Sequence, residues 1–158
     1  MLKSALLAVM ASATVDAVRR GGGPDDFNPE AIISQERAAL DRWGKGDPQG
    51  FVELFATDVT YFDPYQKRRT DGLEAMKGLL APLANKWTIP RCEMIGAKVQ
   101  RHANVALLTF NLLNYDAAGK ATSRWNATEV YCLIGGKWKI IHSHWSYTTP
   151  ELKQAGAQ

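Results

Sequence analysis

Cysteine is scarce in this sequence, long apolar runs are missing, and neither sign of charge dominates. There are only two cysteines, Cys92 and Cys132, far apart in the chain. That number excludes a disulfide framework and a cysteine-based metal cluster. Each lies in an apolar, strand-like run, so both are read as buried free thiols, with a single disulfide left open if the protein is exported. No apolar segment reaches the roughly 18 residues that a membrane-spanning helix needs, and the chain is expected to be soluble. Basic residues number 19 against 16 acidic ones, and no basic run exceeds Lys67-Arg68-Arg69. Without an aromatic-and-basic platform, nucleic acid is not an expected partner. Gly21-Gly22-Gly23 follows no strand and lacks the spacing of a phosphate-binding loop. The G-x-S-x-G, C-x-x-C and H-E-x-x-H patterns are also missing, so no cofactor and no metal are expected.

What is present is the balance of an ordinary globular domain: 158 residues, 46% apolar and 22% charged. Residues 1–27 differ in character from the rest. Lys3 precedes an apolar run from Ala5 to Ala11, and Ala11-Ser12-Ala13 has the form of a secretory cleavage site. Three readings stay open: a short secretory leader, an organellar transit peptide rich in basic and hydroxyl residues, and a helical extension. If residues 1–17 are a targeting leader the protein is exported or organellar, and otherwise it is cytoplasmic. Gly21-Gly22-Gly23-Pro24 reads as a flexible joint. The domain is expected over residues 28–150, followed by a tail at 151–158.

Within the domain the order is helices, then strands. Asn28-Pro29-Glu30 combines a cap, a first-turn proline and a first-turn acid, and Ile32, Ile33, Ala39, Leu40 and Trp43 follow at helical spacing. Asp47-Pro48 opens a second helix with Phe51, Val52, Leu54 and Phe55 as its apolar side. Val59–Phe62 is a short strand closed by Asp63-Pro64. A third helix is predicted after Asp71, with Glu74 completing a capping box and Leu73, Met76, Leu79, Leu80 and Leu83 as its stripe. Strands are predicted over 91–100, 105–115, 123–134 and 137–148. Gly135-Gly136 supplies the positive φ angles of a tight hairpin. Helices followed by a run of strands are the pattern of an α+β fold.

Thr128-Glu129-Val130-Tyr131, Gly135-Gly136-Lys137-Trp138 and Ile141-His142-Ser143-His144-Trp145-Ser146 resemble the C-terminal hairpin of SnoaL-like domains in the nuclear transport factor 2-like superfamily. They are similar, too, to the association domain of calcium/calmodulin-dependent kinase II. Thr60–Pro64 and Asp71-Gly72-Leu73 fit the same pattern, so the resemblance spans about residues 30 to 148. It implies a cone-shaped α+β fold: three N-terminal helices on a strongly curved, mainly antiparallel sheet, with a pocket at the wide end and homodimers formed through the sheet face. It implies no single activity, because the superfamily includes isomerases, cyclases, dehydratases and assembly hubs. In the kinase association domain two pocket arginines fall where Glu129 and Trp145 stand here. The resemblance therefore implies that Glu129 and Trp145 face the cavity, while capture of a carboxylate ligand is not inherited.

Strand alternation places Ile141, Ser143 and Trp145 on one face and His142 and His144 on the other, the outer face on which dimers would meet. Glu129 is the first candidate for acid–base chemistry, since burial would raise its pKa. Its structural alternative is a carboxylate paired with Tyr61, Arg124 or Arg91. Asp63, beside Tyr61, is the second candidate, with a turn-forming role as the alternative. Trp43, Phe55, Tyr61, Met76, Phe110, Trp125, Tyr131 and Trp145 are the expected ligand-binding residues for a small apolar or aromatic molecule. Three functions remain open at this point: ligand binding, proton-transfer catalysis through Glu129 or Asp63, and assembly.

Overall fold

A computed structural model describes residues 27–148. The leader and tail readings lie outside these residues. Helix α1 spans Pro29–Gly44 and starts as the sequence predicts, with Asn28 Oδ1 accepting from the Glu30 amide at 3.0 Å. It buries Ile32, Ile33, Glu36, Ala39 and Leu40. Gly46, at φ 79°, ends the turn that follows. Helix α2 spans Gln49–Leu54, and Arg42 ties it to α1 through Asp47 and Glu53, each at 2.7 Å. Phe55 is not on α2 but opens strand β1, Phe55–Phe62; it still points into the core.

Strand β2 is the pair Thr70–Asp71, and helix α3 spans Leu73–Leu80, continued by a 3-10 turn at Ala81–Leu83. The predicted capping box does not form. Asp71 belongs to β2 and binds Arg69, Glu74 pairs with Lys77 at 2.6 Å, and Gly72 at φ 86° occupies the cap. A glycine tolerates that backbone where an aspartate would be strained.

Strands β3 Arg91–His102, β4 Val105–Tyr115, β5 Ala121–Ile134 and β6 Lys137–Tyr147 form the antiparallel meander. The sheet order is β2-β1-β6-β5-β4-β3, with β1 parallel to β6. The early strand thus joins the late ones, an arrangement the meander pattern alone does not reveal. The ladder is bulged in each later pair: after Ile95 on β3, at Thr122 on β5 and at Ile141 on β6. Each extra residue bends its strand, and together they curl the sheet around α1, α2 and α3. Ile32, Leu40, Phe51, Met76, Leu108, Ala127, Tyr131 and Ile140 make up much of the core. Cys92 and Cys132 are separate, half-buried thiols. Among the described residues no helix is long and apolar enough to cross a membrane.

Candidate functional site

The bulge on β6 decides which side chains face inward. Tyr131 pairs with Ile140 and Val130 with His142, so Ile141 is the extra residue. Ile140, not Ile141, therefore fills the core; Ser143 and Trp145 keep the inward direction beyond the bulge. His142 and His144 stay on the outer face. There Phe62 packs on both rings, and Thr60 Oγ1 lies 2.8 Å from His142 Nδ1. Burial, the neighbouring His144 and Arg69 lower the pKa of His142.

Between the curled sheet and the helices lies a cavity of about 530 Å³. Aromatic rings form a continuous band around it. Trp87 packs on Trp43 at 4.8 Å between ring centres, Trp43 meets Phe51 edge-on at 6.2 Å, and Phe51 meets Trp145 at 6.5 Å. Trp145 meets Trp125 at 6.3 Å, and Trp125 stacks on Tyr147 at 4.3 Å. Tyr65 reaches across the mouth to Trp125 at 6.1 Å and to the Tyr147 hydroxyl. Edge-to-face rings of this kind hold one another rigidly as well as burying area. Of the eight ligand-binding residues expected from sequence, six line the cavity: Trp43, Phe55, Tyr61, Met76, Trp125 and Trp145. Phe110 and Tyr131 do not. Phe110 sits behind Trp145 at 5.7 Å, and Tyr131 is sealed in the core.

Two short motifs with the same geometry supply polar points. Trp125 Nε1 donates to Ser123 Oγ at 3.0 Å, and Trp145 Nε1 donates to Ser143 Oγ at 3.0 Å. Both are S-x-W units on neighbouring antiparallel strands, where residues two apart share a face. Asn114 Nδ2 adds a third bond to this wall, donating to Ser123 Oγ at 2.9 Å. Tyr61 and Asp63 also line the cavity, near its mouth, and Asp63 Oδ1 accepts from the amides of Tyr65 and Gln66 at 2.6 and 3.0 Å. Asp63 therefore holds the turn and faces the cavity at once. Burial first, and then the Asp63 carboxylate, push the Tyr61 hydroxyl far above its ordinary range.

Glu129 faces inward but lies one layer beneath the cavity wall. It is fully buried, and its Oε1 lies 2.9 Å from Ser143 Oγ. Its partner is thus Ser143, and not Tyr61, Arg124 or Arg91; Arg91 instead pairs with Glu93 and covers the Tyr115 ring. Behind it stands a second buried carboxyl group, Glu36 of α1, which accepts a 2.5 Å hydrogen bond from the Tyr131 hydroxyl. Glu36 Oε1 and Glu129 Oε2 have no partner, and among the described residues neither carboxyl group forms an ion pair. Burial pushes Glu36 up to about 7 against the hydrogen bond from Tyr131. Burial and the charge of Glu36 push Glu129 well above the carboxylate range, against the opposing effect of the nearby Ser143 hydroxyl and Trp145 indole N–H. Burial without an ion pair thus favours the neutral, protonated form of Glu129. Sequence reasoning missed Glu36. Its signal is a carboxylate in register with Ile32 and Leu40 on the apolar stripe of α1, a place where a solvated acid does not belong.

A helix-backed, bulged sheet of this order around an aromatic hollow defines the nuclear transport factor 2-like fold. The sequence matches the SnoaL-like domain over residues 37–150, and the chain belongs to that family. A candidate ketosteroid isomerase from Parabacteroides distasonis is 41% identical, with 79% of this chain and 91% of that one covered at a TM-score of 0.70. An NTF2-like protein of unknown function from Pseudomonas putida is 22% identical, covering 80% and 90% at a TM-score of 0.68. The association domain of C. elegans CaMKII is 20% identical, covering 75% and 94% at a TM-score of 0.61. The last two share the fold alone with this chain. No curated protein matches it.

Proposed function

We propose that the domain binds a small, largely apolar ring compound in the aromatic cavity. The observation that carries this reading is the hollow itself: about 530 Å³, within the range of small-molecule sites, walled by indoles with a few polar points. A domain serving assembly alone would gain by filling that space, since an unfilled apolar cavity lowers stability. Native mass spectrometry of freshly purified protein tests it. A non-covalent adduct of small-molecule mass is expected, lost when Met76→Trp fills the cavity centre. Bare protein, together with no quenching of tryptophan fluorescence by two-ring hydrocarbons, would refute it. The homodimer through the outer sheet face, with His142 and His144 at its centre, is part of the same proposal; sedimentation equilibrium of His144→Glu against the unaltered protein checks it.

A second reading is favoured by one observation: Tyr61 and Asp63 line the cavity mouth together. With a β,γ-unsaturated ketone bound, the Asp63 carboxylate would take the proton between the two unsaturated groups and return it to the γ-carbon. The double bond moves into conjugation and nothing is oxidised. The identity with the candidate ketosteroid isomerase supports this reading. Growth of enone absorbance that Asp63→Asn abolishes is the expected result. An equal rate in that variant would remove Asp63 from the chemistry. Glu129, one layer beneath the wall, is a positioning residue in either reading.

A further inference from the structure

The polar chain beneath the cavity floor has a consequence for what the cavity accepts. A serine hydroxyl has one proton to give and two lone pairs. At Ser143 one lone pair takes the Trp145 Nε1 proton at 3.0 Å. The remaining close contact is Glu129 Oε1 at 2.9 Å. When the carboxyl group carries its proton on Oε1, it donates to Ser143 and fills the second lone pair. The Ser143 proton then has no recipient among the described residues, and the side of Ser143 left for it is the cavity, which Ser143 lines. If Glu129 is ionised, it takes the Ser143 proton and the cavity floor offers none. Tyr61 stands beside Ser143 on the neighbouring strand in direct register, and both line the same space.

We propose that Ser143, oriented by the acid form of Glu129, is the hydrogen-bond donor that selects ring compounds bearing a carbonyl oxygen over plain hydrocarbons. This rests on the reading of the cavity as a binding site and names the class of molecule. The groups that act on the switch come from three elements: Glu36 on α1, Tyr131 on β5, and Tyr61 with Asp63 on β1 and the turn after it. Tyr131 and Tyr61 are held neutral by burial, and the remaining neighbours are acids, so these surroundings keep the Glu129 proton in place.

Tetralin and 1-tetralone, which differ by one carbonyl group, provide the test. Their dissociation constants are measured by tryptophan fluorescence on the full chain between pH 5 and pH 9. At low pH the ketone is expected to bind about tenfold tighter, the effect of one buried hydrogen bond. The preference is expected to fall toward unity as pH rises through the Glu129 titration. Ser143→Ala removes the preference at every pH. Glu129→Gln, whose amide donates to Ser143 regardless of pH, keeps the preference and makes it flat. Equal affinity for the two compounds in the unaltered protein overturns the inference and leaves the cavity a binding site. A preference that does not change with pH in the unaltered protein removes Glu129 from the switch and overturns it as well. Failure of both compounds to bind overturns the inference and the binding reading together.

Discussion

Trp125 and Tyr131 project from the same face of β5, six residues apart in number, yet they belong to opposite kinds of surroundings. Tyr131 is sealed, and its hydroxyl is spent on Glu36. Trp125 is half-buried, its indole N–H is spent on Ser123, and its ring surface is left to the cavity. At the closed end polar groups satisfy one another and exclude water. At the open end the polar atoms satisfy one another so that the rings are left free. A single sheet face thus builds both a rigid base and a receptive mouth. Ser143 is where the two meet, since it touches Glu129 below and lines the cavity above.

That contrast can be broken at either end. Tyr131→Ala should be the most damaging change, because it empties a fully buried ring site and strands Glu36 Oε2; a loss of roughly 4 kcal/mol in urea unfolding is expected. Next comes pH. The folded protein holds the Glu36 proton up to about 7, whereas an unfolded glutamate releases it near 4.5. Folding therefore binds protons, stability is fullest below about 4.5, and it falls as pH rises to about 7, by roughly 3 kcal/mol for a group fully buried. Glu129, raised by the same burial, adds to the fall in the same direction. Glu36→Gln should flatten that profile between about 4.5 and about 7, and a profile unchanged by it would place the titration elsewhere. At the open end, Trp125→Ala should cost about 1–2 kcal/mol in stability, in line with a half-buried ring, but about tenfold in the affinity for tetralin. Asn28→Ala, remote from both ends, should lose about 1 kcal/mol through the helix cap and leave tetralin binding alone.

Much of the fold was legible because the local signals agree. The Asn28 cap, the Gly135-Gly136 turn and the apolar alternation of β4 each name their element, and Asp63-Pro64 ends β1 as expected. The inward indoles were legible for the same reason: Trp125 and Trp145 sit two residues beyond serines on strands of clear period. What escaped was set by long-range geometry. The extra residue at Ile141 has no signature in a strand rich in apolar residues, so Ile140 was passed over. Phe110 and Tyr131 carry the same alternation as true wall residues, and the curl of the sheet alone removes them from the cavity. Parallel pairing of β1 with β6 joins segments some eighty positions apart, as Tyr61 opposite Ser143 shows, and no local pattern encodes it.

The bulge at Ile141 makes β6 two half-strands in opposite phase. Deleting that one residue would remove the bulge and leave every other pairing in register, Tyr131 with Ile140 and Val130 with His142, so Ser143 and Trp145 would still face the hollow. What such a chain would lose is the local bend of the strand, and with it part of the curl that gives the hollow its depth. One surplus residue thus shapes the vessel without choosing which side chains line it.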